Sequence, residues 1–204
     1  LAQRFSARYQ GDEWQAYLKL REATPTPFSG FMAWGSQAVL SLSPERFIQC
    51  RDGLVETRPI KGTRPRGRTP EEDRALSDEL LSSTKDRAEN VMIVDLLRND
   101  LGRVCTPGSI RVPQLCQLES YPNVHHLVSV VQGQLAAQHS PLSLLTAAFP
   151  GGSITGAPKI RAMQIIDELE PCQRSVYCGS LGYIDVRGSM DTSIAIRTMV
   201  ADAG

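Results

Sequence analysis

The 204-residue chain has no surplus of either charge: 22 Lys and Arg stand against 22 Asp and Glu. A neutral chain offers no general electrostatic argument for nucleic acid or an anionic membrane as partner. No apolar run is long enough to span a bilayer, and no signal-peptide pattern opens the sequence. Histidine is scarce, with three residues (His125, His126 and His139), and none has ligand spacing near a cysteine, which argues against structural zinc. The five cysteines (Cys50, Cys105, Cys116, Cys172 and Cys178) are an odd number without a C-x-x-C pair. That pattern fits free thiols in a reduced, cytoplasmic setting. Internal repeats and low-complexity linkers are also lacking.

What is present is a chain 41% hydrophobic, enough for one sizeable core or two small ones. Asp12 reads as the cap of a short helix bearing Trp14, Tyr17, Leu18 and Arg21, broken by Thr24–Pro27. Turn signals at Gly35-Ser36 and Asp52-Gly53 then divide residues 28–60 into an antiparallel meander. Thr69, Pro70 and Glu72 have the pattern of N-cap, N1 and N3 of a helix with Leu76, Leu80 and Leu81 inward. Ser82 or Ser83 opens a second helix with an apolar stripe through Ala88, Val91, Met92 and Leu96. Strands follow in SIRVPQLCQL and VHHLVSVVQGQLA, then a helix over 142–148, a loop FPGGSITGAP, and a helix from Pro158 to Leu169. SVYCGSLGYIDV and SMDTSIAIRTMV read as two last strands. The order predicts an α+β fold of antiparallel sheets with helices packed on the outside, rather than repeating βαβ units. The final Asp202-Ala203-Gly204 reads as a turn toward a further strand, and so the chain is expected to be a piece of something longer.

Five basic side chains (Arg58, Lys61, Arg64, Arg66 and Arg68) crowd into RPIKGTRPRGR with no acid among them. They mark either a solvated loop or a site for a small anion, and charge alone favours the loop. If Asp52-Gly53 is a two-residue turn, Arg51 pairs with Leu54, Glu45 falls opposite Ile60 and Lys61 opposite Pro44. Glu45 and Lys61 then meet at the open end of one hairpin, as a surface ion pair or as an acid and an amine nucleophile. Neighbouring cations would lower the basicity of that amine and draw in a carboxylate, while Gly62 lets backbone approach a ligand. Asp86 and Glu89 share one helix face, a polar surface or a place for Mg²⁺. Strand alternation sends His125 and His126 to opposite faces, one buried and one exposed. PGGSITGAPK departs from the Walker pattern, because Gly156 is followed by Ala-Pro-Lys; free N–H groups at the following helix would still suit a carboxylate. Arg197, in SIAIRTMV, reads as a buried arginine in need of a fixed anion.

Taken together, SPERF, RPIKGTRPRG, AENVMIVDLLRNDLGRV, HHLVS, GGSITGAPKIRAMQIIDELEP, GSLGY and DTSIAIRT resemble, in order, the motifs of the chorismate-utilising enzymes. That family includes anthranilate, aminodeoxychorismate, isochorismate and salicylate synthases. Where anthranilate synthases usually carry Ala, this chain has Lys61, and PIKGT resembles the aminodeoxychorismate synthase component I subgroup. The resemblance implies amination of chorismate to 4-amino-4-deoxychorismate, toward 4-aminobenzoate and folate, with ammonia from a glutaminase partner. It implies that Lys61 attacks the ring and displaces the 4-hydroxyl, that Glu45 assists as the acid, and that His126 is an active-site histidine. It implies Glu89 as a ligand of Mg²⁺, the cofactor that holds the ring carboxylate. Gly62, Thr63 and Ser153 are implied at the substrate, with Tyr177 and Arg197 on the pyruvyl carboxylate. It further implies that residues 1–204 form a single, incomplete chorismate-binding domain. By the same resemblance, the N-terminal half of the family fold and a C-terminal segment with a second Mg²⁺-binding Glu are expected to lie outside it.

Overall fold

The structure, a computed structural model, describes residues 1–202; the predicted turn at Asp202-Ala203-Gly204 runs outside the described residues. Helix α1 (Glu13–Ala23) precedes five strands: β1 (Phe28–Trp34), β2 (Gln37–Ser43), β3 (Arg46–Arg51), β4 (Leu54–Thr57) and β5 (Ile60–Pro65). Helices α2 (Pro70–Ser82) and α3 (Thr84–Gly102) come next, then β6 (Arg111–Ser120) and β7 (Val124–Gln134). The chain continues through α4 (Pro141–Ala148), a 3-10 turn at Gly152–Ile154 and α5 (Lys159–Leu169). It ends in β8 (Ser180–Ile184), β9 (Met190–Ile194) and β10 (Thr198–Asp202).

The helices begin where short polar side chains satisfy free N–H groups. Asp12 accepts from the Gln15 N–H at 2.8 Å, Thr69 from Glu72 at 3.3 Å and Ser83 from Asp86 at 3.2 Å. Ser140 and Ser143 form a reciprocal capping box ahead of α4. The α3 stripe is rotated from its predicted position. Ile93, Val94, Leu97 and Leu101 face inward, whereas Val91 and Met92 are exposed. The run NVMIVDLL is apolar on more than one face, and two polar residues, Asn90 and Asp100, occupy the inward side. Asn90 accepts from the Ser129 hydroxyl at 2.5 Å, and Asp100 pairs with Lys159 at 2.6 Å. Periodicity cannot find a stripe that buried polar partners help to define.

Every strand pairing is antiparallel. One sheet has the order β1-β2-β10, with α1 laid on it through Tyr17. In the larger sheet β7 has β6 along one side, while β4 and β5 in turn share the other; β3, β9 and β8 extend the sheet beyond β4. The main core lies between this sheet and helices α3 and α4, around Phe47, Ile48, Val94, Leu101, Val131 and Met190. Helices covering a mixed pair of antiparallel sheets are the α+β arrangement read from the element order.

Two predicted strands are shorter than their apolar runs. Residues 175–178 of SVYCGSLGYIDV form a turn, and only Ser180–Ile184 is strand. SMDTSIAIRTMV breaks at Ala195–Arg197, so that β9 joins the large sheet and β10 the small one. Arg197 occupies that break with φ of 49°. It is exposed rather than buried in a strand, because the chain changes sheets there. Both histidines of the pair are buried, His125 at 2% and His126 at 3% exposure. Alternation does send them to opposite faces, but both faces of β7 are covered.

Candidate active site

The Asp52-Gly53 turn has positive φ at both residues, 51° and 77°, as a type I′ hairpin requires. The predicted register holds from Arg51↔Leu54 to Gln49↔Glu56. It does not extend to Glu45 and Ile60. After Pro59 the chain leaves β3, and β5 pairs with β7 instead.

That second pairing contains the feature that aims Lys61. Ile60 lies opposite Val128 and Thr63 opposite His126, three steps on β5 against two on β7. The extra residue is a bulge at Lys61-Gly62, and Gly62 has φ of 92°. A Cβ placed on Gly62 would come within 2.9 Å of both Asp86 Cβ and Leu80 Cδ1. The glycine therefore admits the close packing of α2 and α3 rather than of a ligand on that side.

From the bulge, Lys61 Nζ donates to the Ser153 carbonyl at 2.8 Å. The Ser153 hydroxyl, the Ile60 backbone N–H and the Lys61 charge all act on the nearby Glu45 carboxyl, and each favours its ionised form. Glu45 is 6% exposed. Burial dominates these favourable contacts and pushes its pKa up to about 7, from an ordinary 4.5. An acid and an amine predicted to meet across a hairpin thus meet through a third residue, which a different segment supplies. Gly152, beside Ser153, lies where a Cβ would be 2.8 Å from Leu96 Cδ2, so this turn sits directly on α3. Lys159 Nζ holds the end of the same loop, donating to Asp100 at 2.6 Å and to the Ala148 carbonyl at 3.0 Å.

Further along β5, Thr63 Oγ1 and His126 Nδ1 are 2.8 Å apart. Burial and the charge of Arg197 lower the His126 pKa, against an opposing push from Glu119. His126 and Arg197 line a single cleft with Pro27, Pro44 and Tyr121. Among the described residues no carboxylate forms an ion pair with Arg197, which leaves its guanidinium available to an external anion. Tyr177 sits on the turn before β8, and burial raises the pKa of its phenol. Backbone bonds of 2.8 and 2.9 Å tie Cys178 and Gly179 to Ala195, so Tyr177 and Arg197 occupy neighbouring segments.

The arginines of the basic stretch are not collectively aimed at an anion. Arg58 pairs with Glu119, Arg64 with Glu79 at 2.8 Å and Asp86 at 3.2 Å, and Arg66 with Asp73 at 2.7 Å. These pairs brace β5 against α2, α3 and β6. Asp86 is thereby spent on Arg64 and does not join Glu89. Glu89 lies on α3 with Lys85 Nζ at 3.9 Å. Among the described residues no group of three or more His, Cys, Asp or Glu converges on one point.

Other motif residues, which the sequence reading passed over, serve the architecture. Arg46 of SPERF makes paired bonds to Asp191 at 3.1 and 3.2 Å and reaches Glu56 at 3.0 Å. Asn90 of AEN is fully buried and donates to the Leu127 carbonyl at 3.2 Å. A half-buried arginine between two acids is signalled in sequence only by the apolar residues that follow it, as in RFIQC.

The family profile described as "chorismate binding enzyme" matches residues 1–204. The chain is 60% identical over 204 residues to aminodeoxychorismate synthase component 1 of Klebsiella aerogenes, covering 100% of this chain and 45% of that protein. The Escherichia coli (strain K12) protein of the same name is 59% identical, with the same coverage. The crystal structure of anthranilate synthase component I from Streptococcus pneumoniae TIGR4 superposes with a TM-score of 0.88 at 40% identity, over 97% of this chain and 43% of that one. The chain thus spans less than half the length of the relatives it matches.

Proposed function

Because this chain belongs to the chorismate-binding enzyme family, we propose that it carries the catalytic face for amination of chorismate to 4-amino-4-deoxychorismate. The observation that carries the proposal is the meeting of Glu45, Ser153 and Lys61. Lys61 supplies the amine that attacks the ring as the bond to the 4-hydroxyl breaks. Glu45 supplies the proton, so that the hydroxyl leaves as water. An acid with a pKa of about 7 is half protonated at neutral pH, matched to that task. Ammonia then displaces Lys61 and restores the free amine. A glutaminase partner delivers that ammonia, in line with the component 1 designation of the relatives. Arg197, exposed and not ion-paired with an acid among the described residues, receives a substrate carboxylate. Magnesium belongs to the same proposal through Glu89 and is tested as an addition.

Anthranilate formation is the second reading, favoured by the likeness to the S. pneumoniae enzyme. The amine at position 61 distinguishes the two. Incubation with chorismate, Mg²⁺ and ammonium near pH 8, with mass spectrometry of the product, is the test. Aminodeoxychorismate is the expected product; anthranilate would overturn the assignment. Unchanged chorismate would oppose catalysis by these residues alone, and omission of Mg²⁺ tests the metal.

A further inference from the structure

His126 is held from both neighbouring strands. Thr63 of β5 lies opposite it on one side and Glu119 of β6 on the other. Glu119 is itself fixed twice: Arg58 donates to one carboxylate oxygen, and the Tyr121 hydroxyl donates to the other at 2.7 Å. The Tyr121 ring is tilted against the His126 ring, with centroids 5.7 Å apart and planes at 59°. Tyr121 is in turn anchored at its backbone. Its N–H donates to the Val124 carbonyl at 2.8 Å and its carbonyl accepts from Arg66 at 2.9 Å. A rigid turn, an aromatic ring and an immobilised carboxylate thus converge on one imidazole.

We propose that Glu119 and Tyr121 are positioning residues for His126, with Arg58 as their brace: the fixed carboxylate on the neighbouring strand sets the charge the imidazole faces, and the tethered phenol fixes its ring plane. The opposing charge is Arg197, across the cleft, and Thr63 takes Nδ1. Burial favours the neutral imidazole, the Arg197 charge adds to that, and the Glu119 charge opposes both. A substrate carboxylate neutralising Arg197 would remove one of the two influences that hold the ring neutral, so that anion binding and protonation of His126 are coupled. The inference rests on His126 being a site residue but not on the reaction. Its test reads the ring itself, so failure here leaves the amination proposal standing, and failure of amination leaves this one standing.

The measurement is a pH titration of the three histidine ring signals by NMR, in the wild-type chain and in Glu119→Gln and Tyr121→Phe. Glu119→Gln keeps the shape and removes the charge. The His126 midpoint is expected to fall by about half a pH unit or more, with His125 and His139 unmoved. Tyr121→Phe keeps the ring and cuts its tether, and the His126 signal is expected to lose part of its ring-current displacement. Should Glu119→Gln fail to fold, the Tyr121→Phe spectrum decides. A His126 signal unchanged in midpoint and position, or all three histidines shifting together, would overturn the proposal.

Discussion

Ser153 stands between Glu45 and Lys61: its carbonyl accepts from the Lys61 amine at 2.8 Å, and its hydroxyl acts on the Glu45 carboxyl, favouring the ionised form. A single residue on a 3-10 turn thereby brings together an acid from the link between β2 and β3 and an amine from a bulge in β5. If Glu45 acts as the acid, activity needs its protonated form and declines as pH rises through about 7. Glu45→Gln is expected to lower kcat by about 10²- to 10⁴-fold and to flatten that limb of the profile. An unaltered kcat–pH curve in the variant would remove Glu45 from the chemistry.

The same carboxyl gives a stability prediction with a definite sign. Its folded pKa, about 7, lies above the ordinary 4.5, so the folded state binds the proton more tightly. The stabilising contribution is complete below pH ~4.5 and is lost as pH rises through ~7, a swing of about 3 kcal/mol. Urea unfolding of wild type and Glu45→Gln at pH 5 and pH 8 checks this. The variant should gain on wild type between the two; a constant difference would show that the carboxyl does not titrate with folding.

Lys61→Ala is expected to abolish amination with ammonium while leaving the fold intact, because the side chain is only half-buried. Circular dichroism and product analysis together check it. Undiminished aminodeoxychorismate from the variant would rule out Lys61 as the nucleophile.

Gly62→Ala meets two obstacles at once, a φ of 92° and contacts at 2.9 Å with Asp86 and Leu80. A loss of roughly 2–4 kcal/mol is expected from strain and displaced helices together. Denaturant midpoints at constant m-value would show it. A neutral result would mean that α2 and α3 yield easily, contrary to the close fit of the bulge.

Lys159→Met leaves Asp100 buried without its cation, for an expected cost of about 3–5 kcal/mol. Adding Asp100→Leu should recover much of the loss, because the charge left behind, rather than the pair, carries the cost. Thermal unfolding of the two variants gives the comparison. Equal losses in both would assign the effect to the packing of the loop at 149–158 instead.

Local chemistry was readable along the chain wherever it acts over a few residues. The helix caps at Asp12, Thr69 and Ser83, the Asp52-Gly53 turn and the long strands β6 and β7 follow from side chains next to the backbone they satisfy. The α+β class followed from their order. The motifs also carried the family, since seven short segments in sequence leave little freedom for another reading. Local pattern is silent where a residue's neighbours come from afar. Arg197 has apolar flanks like a strand residue, yet it sits at the crossing between two sheets. His125 and His126 alternate as expected, but the covers on both faces of β7 belong to other segments.

The sequence by itself determined that Glu45, Lys61, Ser153 and His126 were the residues to watch, because their motifs identify them. Only the tertiary structure decided how they stand. A one-residue bulge at Lys61-Gly62 redirects the amine, and a turn some ninety residues onward supplies the serine that joins it to the acid. Burial, which no local pattern measures, then pushes Glu45 to the pKa that general-acid chemistry needs. Tertiary contacts likewise divided the basic stretch. Arg58, Arg64 and Arg66 found acids on α2, α3 and β6 and became braces, while Lys61 faces a carbonyl and a carboxyl in the site. Charge and spacing are properties of the chain, but desolvation and partner choice exist only once distant segments close around a side chain.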